Sequence, residues 1–297
     1  MTRFAAVLVV SLGLGAAPAQ ALEELTLRHD GAERRYLLER PVGNEPAPTI
    51  VIFHGGGGDA ERMHRYTQFT LARQGWVEIY PDGRDNFWND GRVSLAGPPL
   101  DTTDDVGFVR ALLEEQIAAG LIDPTQIYVA GSSNGGAMAQ RMLCEAPDLV
   151  AGAASVIMPF PIGLDCPGAA AKPVIFFLGT EDGLVPFDGG PITVGRRDRG
   201  AVRPTAETLD FYAQRNGCAT GSETLLPDAD PDDGTRVRHL TLADCAAPVE
   251  AFIVDGGGHT WPGARSGPLI RRLLGRTSRD ISATAEIEAF FKEAAGE

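Results

Sequence analysis

The sequence has few lysines and few cysteines, and after its first 21 residues it has no apolar run long enough to cross a membrane. Lys172 and Lys292 are the only lysines among 26 basic residues, which face 40 acidic ones, so the formal net charge is −14. An excess of negative charge disfavours nucleic acid and anionic lipid as partners. The four cysteines show no C-x-x-C or other metal-binding spacing, so we expect no metal site.

The first 21 residues have the pattern of a secretory signal. Arg3 precedes an apolar run over residues 4–17, and residues 19–21 read Ala-Gln-Ala, a small-x-small cleavage site. The run is shorter than the roughly 20 residues that a membrane-spanning helix needs. We therefore expect cleavage after Ala21, a net charge of −15 once Arg3 is lost, and a secreted or periplasmic domain over residues 22–297.

An even number of cysteines behind such a signal indicates disulfide bonds. Cys144, Cys166, Cys218 and Cys245 allow three pairings. Proximity along the chain favours Cys144–Cys166 and Cys218–Cys245.

Apolar strand patterns alternate with helical patterns through most of the chain. Strands are predicted at 49–55, 76–83, 127–131 and 173–179, and residues 60–74 are predicted as one helix. Because apolar strands need cover on both faces, the alternation predicts an α/β fold with a mostly parallel central sheet and helices on both sides. Only about 25 residues separate the strand 173–179 from the next helix, too few for a large cap domain.

The segment 127–143, IYVAGSSNGGAMAQRML, leads from a strand pattern through two serines into a helix pattern. Gly131, Ser133 and Gly135 fit G-x-S-x-G, the strained strand-to-helix turn that presents a nucleophilic serine. Ser132 does not fit, since its flanking positions are Ala130 and Asn134. An ordinary glycine-rich turn is the alternative for this motif taken alone.

Two later strand ends provide partners for Ser133. Asp182 follows the strand 173–179, with Glu181 and Asp188 as alternatives, and His259 follows an apolar strand in GGGHTWPG. The chain order Ser…Asp…His is that of the α/β-hydrolases. We therefore predict Ser133 as nucleophile, His259 as general base and Asp182 as the group that orients the histidine, a chemistry that needs no cofactor or metal.

The turn FHGGGG, residues 53–58, resembles the HGGG-type turn that donates a backbone N–H to an oxyanion hole. We expect one donor from Gly55 or Gly56 and the other from the N–H of Asn134. His54 lies upstream of the serine and is predicted to be structural.

The acidic stretch DADPDDG, residues 228–234, resembles the start of a calcium loop. An EF-hand loop places glycine at its sixth position and an acid at its twelfth, where this chain has Asp233 and His239. We therefore predict a solvated acidic turn.

The chain contains, in this order, the motifs HGGGG, YPDG…FWND, DDVGFVRAL, IYVAGSSNGGAMA, GTEDGLVP, NGC, GGGHTWPG and LGRTSRDISA. Together these motifs resemble the secreted polyhydroxybutyrate depolymerase-like (LpqC-type) esterases. Those enzymes are α/β-hydrolases similar to family 1 carbohydrate esterases, which include feruloyl and acetylxylan esterases. The resemblance covers nearly all of residues 22–297. It implies the triad Ser133, Asp182 and His259, pairing of Cys218 with Cys245, and Trp88, Asn89 and Trp261 near the acyl pocket. For the two tryptophans, packing of long loops is the alternative.

These observations predict a serine esterase acting on a polyester oligomer, an acylated polysaccharide or a hydroxycinnamate ester. A serine peptidase of the prolyl-oligopeptidase kind is one alternative, although such enzymes usually carry an appended domain. A non-catalytic carbohydrate-binding relative is the other, and the intact Ser-Asp-His set opposes it.

Overall fold

The computed structural model describes residues 21–95, 100–168 and 170–297, so the predicted signal lies outside it except for Ala21. The strands are β1 Glu23–His29, β2 Ala32–Glu39, β3 Ala47–Phe53, β4 Val77–Pro81, β5 Ile122–Ser132, β6 Gly152–Val156, β7 Val174–Gly179, β8 Gly190–Val194, β9 Arg197–Val202, β10 Thr220–Leu225, β11 Arg236–Ala243 and β12 Val249–Asp255. The α-helices are α1 Ala60–Thr67, α2 Asp105–Ala118, α3 Asn134–Glu145, α4 Thr205–Asn216, α5 Pro268–Leu274 and α6 Ala283–Ala295.

The central sheet has the strand order β1-β2-β4-β3-β5-β6-β7-β12-β11-β10. Strands β4, β3, β5, β6, β7 and β12 run parallel to one another. Antiparallel pairs extend both edges, with β1 and β2 at one and β11 and β10 at the other. The carboxyl ends of the parallel strands therefore meet along a single edge, which is where the predicted site residues lie.

Alternating side chains of the buried strands face two separate hydrophobic clusters. On β3, Val51 and Phe53 belong to the cluster that also contains Phe108 of α2. Ile50 and Ile52 belong to the opposite cluster, which contains Phe291 of α6. The prediction of a mostly parallel sheet with helices on both faces is confirmed.

The prediction of one helix over residues 60–74 is wrong in its second half. Helix α1 ends where Gln68 adopts a left-handed conformation with φ of 52°. A short 3-10 turn, Leu71–Gln74, follows before β4 begins. Apolar spacing continues across this break, so the spacing alone could not locate the end of the helix.

Between β7 and α4 the chain forms only the β8–β9 hairpin, with no large cap domain between those two elements. Ile192 of β8 and Val202 of β9 pack against Ala137, Met158 and Val185 in a small third cluster. A backbone hydrogen bond of 2.9 Å from the N–H of Ile162 to the carbonyl of Ala201 also holds the hairpin. The hairpin is therefore anchored beside the carboxyl ends of the strands.

Both disulfide bonds favoured by the sequence are present, Cys144–Cys166 and Cys218–Cys245. In the acidic turn, Asp230 pairs with Arg279 at 2.8 Å and Asp228 pairs with Arg236 at 2.7 Å. Within the described ranges, no group of three or more histidine, cysteine or acidic side chains is arranged to hold a metal ion. The same part of the chain contains no helix with the length and apolarity to cross a membrane.

Candidate active site

Ser133 lies at a sharp turn between β5 and α3, with φ of 55° and ψ of −121°. The turn brings backbone atoms so close that side chains are excluded on either side of it. A Cβ atom on Gly131 would lie 2.1 Å from the carbonyl oxygen of Gly135, and one on Gly135 would lie 2.2 Å from that of Phe53. The two glycines of the motif are therefore required sterically, and the strained serine projects from the end of the strand.

Ser133, His259 and Asp182 form a continuous hydrogen-bonded line. The Oγ atom of Ser133 is 2.9 Å from Nε2 of His259, and Nδ1 of His259 is 2.7 Å from Oδ2 of Asp182. The side chains of His259 and Asp182 are only 8% and 2% exposed. With its proton on Nδ1, the imidazole presents Nε2 as an acceptor to the serine hydroxyl.

The carboxylate of Asp182 is fixed by the turn that follows β7. Its Oδ1 atom accepts the backbone N–H groups of Leu184 and Val185, each at 2.8 Å, which leaves Oδ2 for the histidine. Of the alternatives that the sequence left open, Glu181 is exposed and pairs with Arg276 at 2.8 Å. Asp182 is therefore the acid that the fold brings to His259.

His259 is held by the C-terminal end of α5 and by the segment that follows it. The N–H of Gly258 donates to the carbonyl of Arg276 at 2.9 Å, and the N–H of His259 donates to that of Leu274 at 2.5 Å. A Cβ atom on Gly258 would lie 2.2 Å from the same Leu274 oxygen. The glycine before His259 thus allows the two segments to approach closely enough to fix the imidazole.

The remaining histidines have contacts away from the serine. His29, His64 and His239 lie beside Asp104, Glu39 and Glu250 at 3.1, 3.4 and 2.7 Å respectively. Burial lowers the pKa of His54, whose Nε2 accepts the N–H of Gly83 at 2.9 Å. His54 thus has the structural position that the sequence predicted.

The side chain of Asn134 joins the loop after β4 to the start of α3. Its oxygen accepts the N–H of Trp88 at 2.8 Å, and its Nδ2 donates to the carbonyl of Trp88 at 3.0 Å and to Asp90 at 2.5 Å. From the sequence, only the backbone N–H of this residue is predicted to have a role. No local pattern indicates the side-chain role, because its partners lie about 45 positions away along the chain.

One cleft of about 580 Å³ is lined by Gly55, Gly56, Asn134, Ser133 and His259. The apolar wall of this cleft comes from Phe87, Trp88, Leu100, Val185, Ile192, Val194, Ile270 and Leu274. The hairpin β8–β9 and helix α5 supply part of that wall, although the sequence assigned no individual residue of either to the site. Their positions depend on contacts with distant elements rather than on local pattern.

Of the three residues expected near the acyl pocket, Trp88 and Asn89 line the cleft and Trp261 does not. Trp261 is 1% exposed and packs edge-on against Phe69, and its Nε1 donates to Thr284 at 3.1 Å. For Trp261 the structure therefore favours the alternative interpretation, packing of a long loop.

The chain is similar in sequence to known esterases. The chain is 33% identical to the putative esterase NocK of Nocardia uniformis subsp. tsuyamanensis over 272 residues, which cover 85% of this chain and 77% of NocK. Feruloyl esterase B of Piromyces equi is 26% identical over 235 residues, 76% of this chain but only 42% of that enzyme. No protein-family model matches the chain.

A solved structure shows the same fold. The acetyl xylan esterase of Aspergillus awamori superposes with a TM-score of 0.55 at 16% identity, over 81% of this chain and 94% of that one. Its likeness, together with the mostly parallel sheet and the strand-end site described above, identifies the α/β-hydrolase fold. The identity to NocK extends over most of both chains. The chain therefore belongs to the same esterase family as NocK and is a carboxylic ester hydrolase.

Proposed function

We propose that the chain is a serine esterase in which Ser133, His259 and Asp182 act as the catalytic triad. The observation that carries the proposal is the hydrogen-bonded line of 2.9 and 2.7 Å from the strained serine through a buried imidazole to a buried carboxylate. Ser133 and His259 border an apolar cleft large enough for an ester of moderate size.

In the first half of the reaction, Oγ of Ser133 attacks the ester carbonyl while Nε2 of His259 accepts its proton. The same nitrogen then returns the proton to the departing alcohol, which leaves an acyl-serine. In the second half, water attacks the acyl-serine with the same proton transfers and releases the acid. Asp182 orients the imidazole and stabilises its positive charge throughout.

The negative oxygen of each tetrahedral intermediate needs donors that are fixed in advance. The N–H of Asn134 is a first-turn amide of α3, and such amides have no acceptor within their helix. Gly55 and Gly56 line the same cleft from the end of β3. A Cβ atom on Gly56 would lie 2.6 Å from a ring carbon of Phe87, so a larger residue there would have to displace that ring. We assign the oxyanion hole to the N–H of Asn134 and one of the two glycines.

The proposed substrates are feruloyl or acetyl esters of polysaccharide and short hydroxybutyrate oligomers. Piromyces equi feruloyl esterase B and Aspergillus awamori acetyl xylan esterase bear the names of the first two classes. Trp88 and Asn89 contribute to the wall that would meet the acyl group. The two disulfide bonds support an oxidising location, secreted or periplasmic.

The test is hydrolysis of methyl ferulate, acetylated xylan and a 3-hydroxybutyrate oligomer by the purified protein. Ser133→Ala should abolish turnover while its circular dichroism spectrum stays native. Ser132→Ala, the same change one residue earlier, is the matched control and should remain active. A fluorophosphonate probe should label the wild type and Ser132→Ala but not Ser133→Ala.

Each outcome separates the proposal from its alternatives. Absence of labelling in the folded wild type would favour a non-catalytic carbohydrate-binding protein. Labelling with cleavage of a proline-containing peptide and none of the esters would favour the peptidase. Full ester turnover by Ser133→Ala would refute the triad.

A further inference from the structure

The charge of the cleft is opposite in sign to that of the chain. The formal net charge of the chain is −14. The charged side chains that line the cleft, apart from His259, are three arginines and two aspartates: Arg92, Arg199, Arg265, Asp90 and Asp101. A local excess of positive charge at the site of an acidic protein calls for an explanation in terms of what binds there.

Two of these five side chains neutralise each other. Arg92 and Asp90 are both buried and pair at 2.7 Å, and Asp90 also accepts the side-chain amide of Asn134. The carboxylate of Asp101 is engaged by the N–H and the hydroxyl of Thr103, each at 2.8 Å. Within residues 21–95, 100–168 and 170–297, neither Arg199 nor Arg265 has an acidic partner within ion-pair distance.

Arg199 is held in position by its neighbours. Its guanidinium carbon lies 4.3 Å from the centre of the Phe87 ring, a cation–π contact. The backbone on either side is fixed by Asp198, whose carboxylate accepts the hydroxyl of Ser94 at 2.5 Å and the N–H of Gly200 at 2.8 Å. The guanidinium edge is left to donate to a ligand, and an arginine held in advance loses little entropy when it binds one.

The position of Arg199 relative to the reacting centre follows from a short series of contacts. The guanidinium lies over Phe87, and the Phe87 ring packs at Gly56, beside the start of α3. Arg199 and Ser133 line the same cleft. An ester bound at Ser133 could therefore place a second substituent against Arg199 while its carbonyl lies at the proposed oxyanion hole.

We propose that Arg199 binds a free carboxylate of the substrate, so that the preferred esters carry one carboxylate in addition to the ester that is cleaved. A planar guanidinium with two parallel N–H groups matches a carboxylate in shape and charge. The inference rests on the proposed function, since it assigns a specificity determinant to the same site. Arg265 is exposed, lies at another part of the cleft wall and has no comparable aromatic support, so Arg199 is the residue we assign.

The experiment compares esters that differ only in charge. Monoethyl glutarate and its monoamide carry the test group on the acyl side, whereas 3-acetoxybutyrate and 3-acetoxybutanamide carry it on the alcohol side. We expect the wild type to have a higher kcat/KM for the carboxylate member of one pair, mainly through a lower KM. Added salt should reduce this preference. The pair that shows it identifies which side of the ester faces Arg199.

Four variants test which arginine produces the preference for the carboxylate ester. Arg199→Met should lower the carboxylate-to-amide ratio of kcat/KM by about tenfold or more, the loss expected for one charge-assisted hydrogen bond. Arg199→Lys should restore part of the ratio. Arg197→Met removes the same charge from an exposed position of the same hairpin and should leave the ratio unchanged. A ratio that falls in Arg265→Met but not in Arg199→Met would overturn the assignment.

Failure of the inference and failure of the proposed function give different results. Equal kcat/KM values for both members of each pair, with turnover lost in Ser133→Ala, would overturn carboxylate recognition and leave the esterase mechanism intact. No turnover of any of the four esters, with no labelling of Ser133 by a fluorophosphonate, would overturn both.

Discussion

Asp182 and His259 are joined by a hydrogen bond of 2.7 Å, although 77 residues separate them along the chain. The carboxylate does not depend on the histidine alone for its position, because Leu184 and Val185 hold its other oxygen through their backbone N–H groups. The acid is therefore in place before His259 becomes charged. Such a carboxylate can stabilise an imidazolium without moving, which is what the proposed mechanism requires.

Asp182→Asn should lower kcat by about 10³- to 10⁴-fold with little change in KM, because an amide at this position favours the wrong histidine tautomer. The measurement is steady-state hydrolysis of whichever ester the wild type turns over fastest. Glu181→Gln is the control, since Glu181 is adjacent in sequence but exposed and paired with Arg276. An equal loss of kcat in both variants would show that the conformation of the loop, and not the carboxylate of Asp182, determines the rate.

The sequence could indicate Ser133, Asp182 and His259 as candidates because each lies at a strand end with its own local pattern. The motif around Ser133 and the glycines before His259 can be read within about ten residues. The parallel direction of the central strands follows from the alternation of buried strands and helices, whereas their order in the sheet was not predicted. The short turns after β7 and β12 then bring Asp182 and His259 to Ser133.

The walls of the cleft could not be predicted in the same way. Arg199 and Ile192 reach the site because the β8–β9 hairpin packs on residues from α3 and from the segment after β6. Trp261 has the motif context of a site residue, yet hydrogen bonding to Thr284 keeps it away from the cleft. The positions of these residues depend on which elements distant in sequence pack together, and the local periodicity of the sequence does not specify that packing.

Gly131→Ala should prevent accumulation of soluble folded protein or lower its stability by several kcal/mol. A methyl group there would lie 2.1 Å from a backbone oxygen, a distance that only movement of β5 against α3 can relieve. The measurement is soluble yield and thermal unfolding. Gly183→Ala is the matched control, because a Cβ atom at Gly183 would meet nothing within 4 Å. A Gly131→Ala protein with wild-type stability would contradict the close approach at the turn.

The two disulfide bonds should each stabilise the fold by about 3 kcal/mol, the value expected for loops of this size in the chain-entropy description. They enclose sequence separations of 22 and 27 residues. The double variants Cys144→Ser with Cys166→Ser, and Cys218→Ser with Cys245→Ser, should each lower the melting temperature, and reductant should lower that of the wild type. A wild-type melting temperature that reductant leaves unchanged would count against both bonds.

Glu78 should make the stability of the fold depend on pH. It is fully buried in β4, where its carboxylate accepts the N–H of Ala72 at 2.9 Å and the hydroxyl of Tyr80 at 2.7 Å. Burial raises the pKa of Glu78 to about 7, against the hydrogen bonds, which lower it. Because this pKa lies above the value of about 4.3 in an unfolded chain, the folded state binds the proton more tightly between those two pH values.

The contribution of Glu78 to stability is therefore fully present below about pH 4.3 and is lost as the pH rises through about 7. Between pH 5 and pH 8, the free energy of unfolding of the wild type should fall relative to that of Glu78→Gln by up to about 3 kcal/mol. Urea unfolding at several pH values measures this difference. The control is Glu114→Gln, at an exposed position of α2. Its free energy of unfolding should change with pH as that of the wild type does. If the free energy of unfolding of Glu78→Gln also changed with pH as that of the wild type does, Glu78 would already be ionised at pH 5 despite its burial.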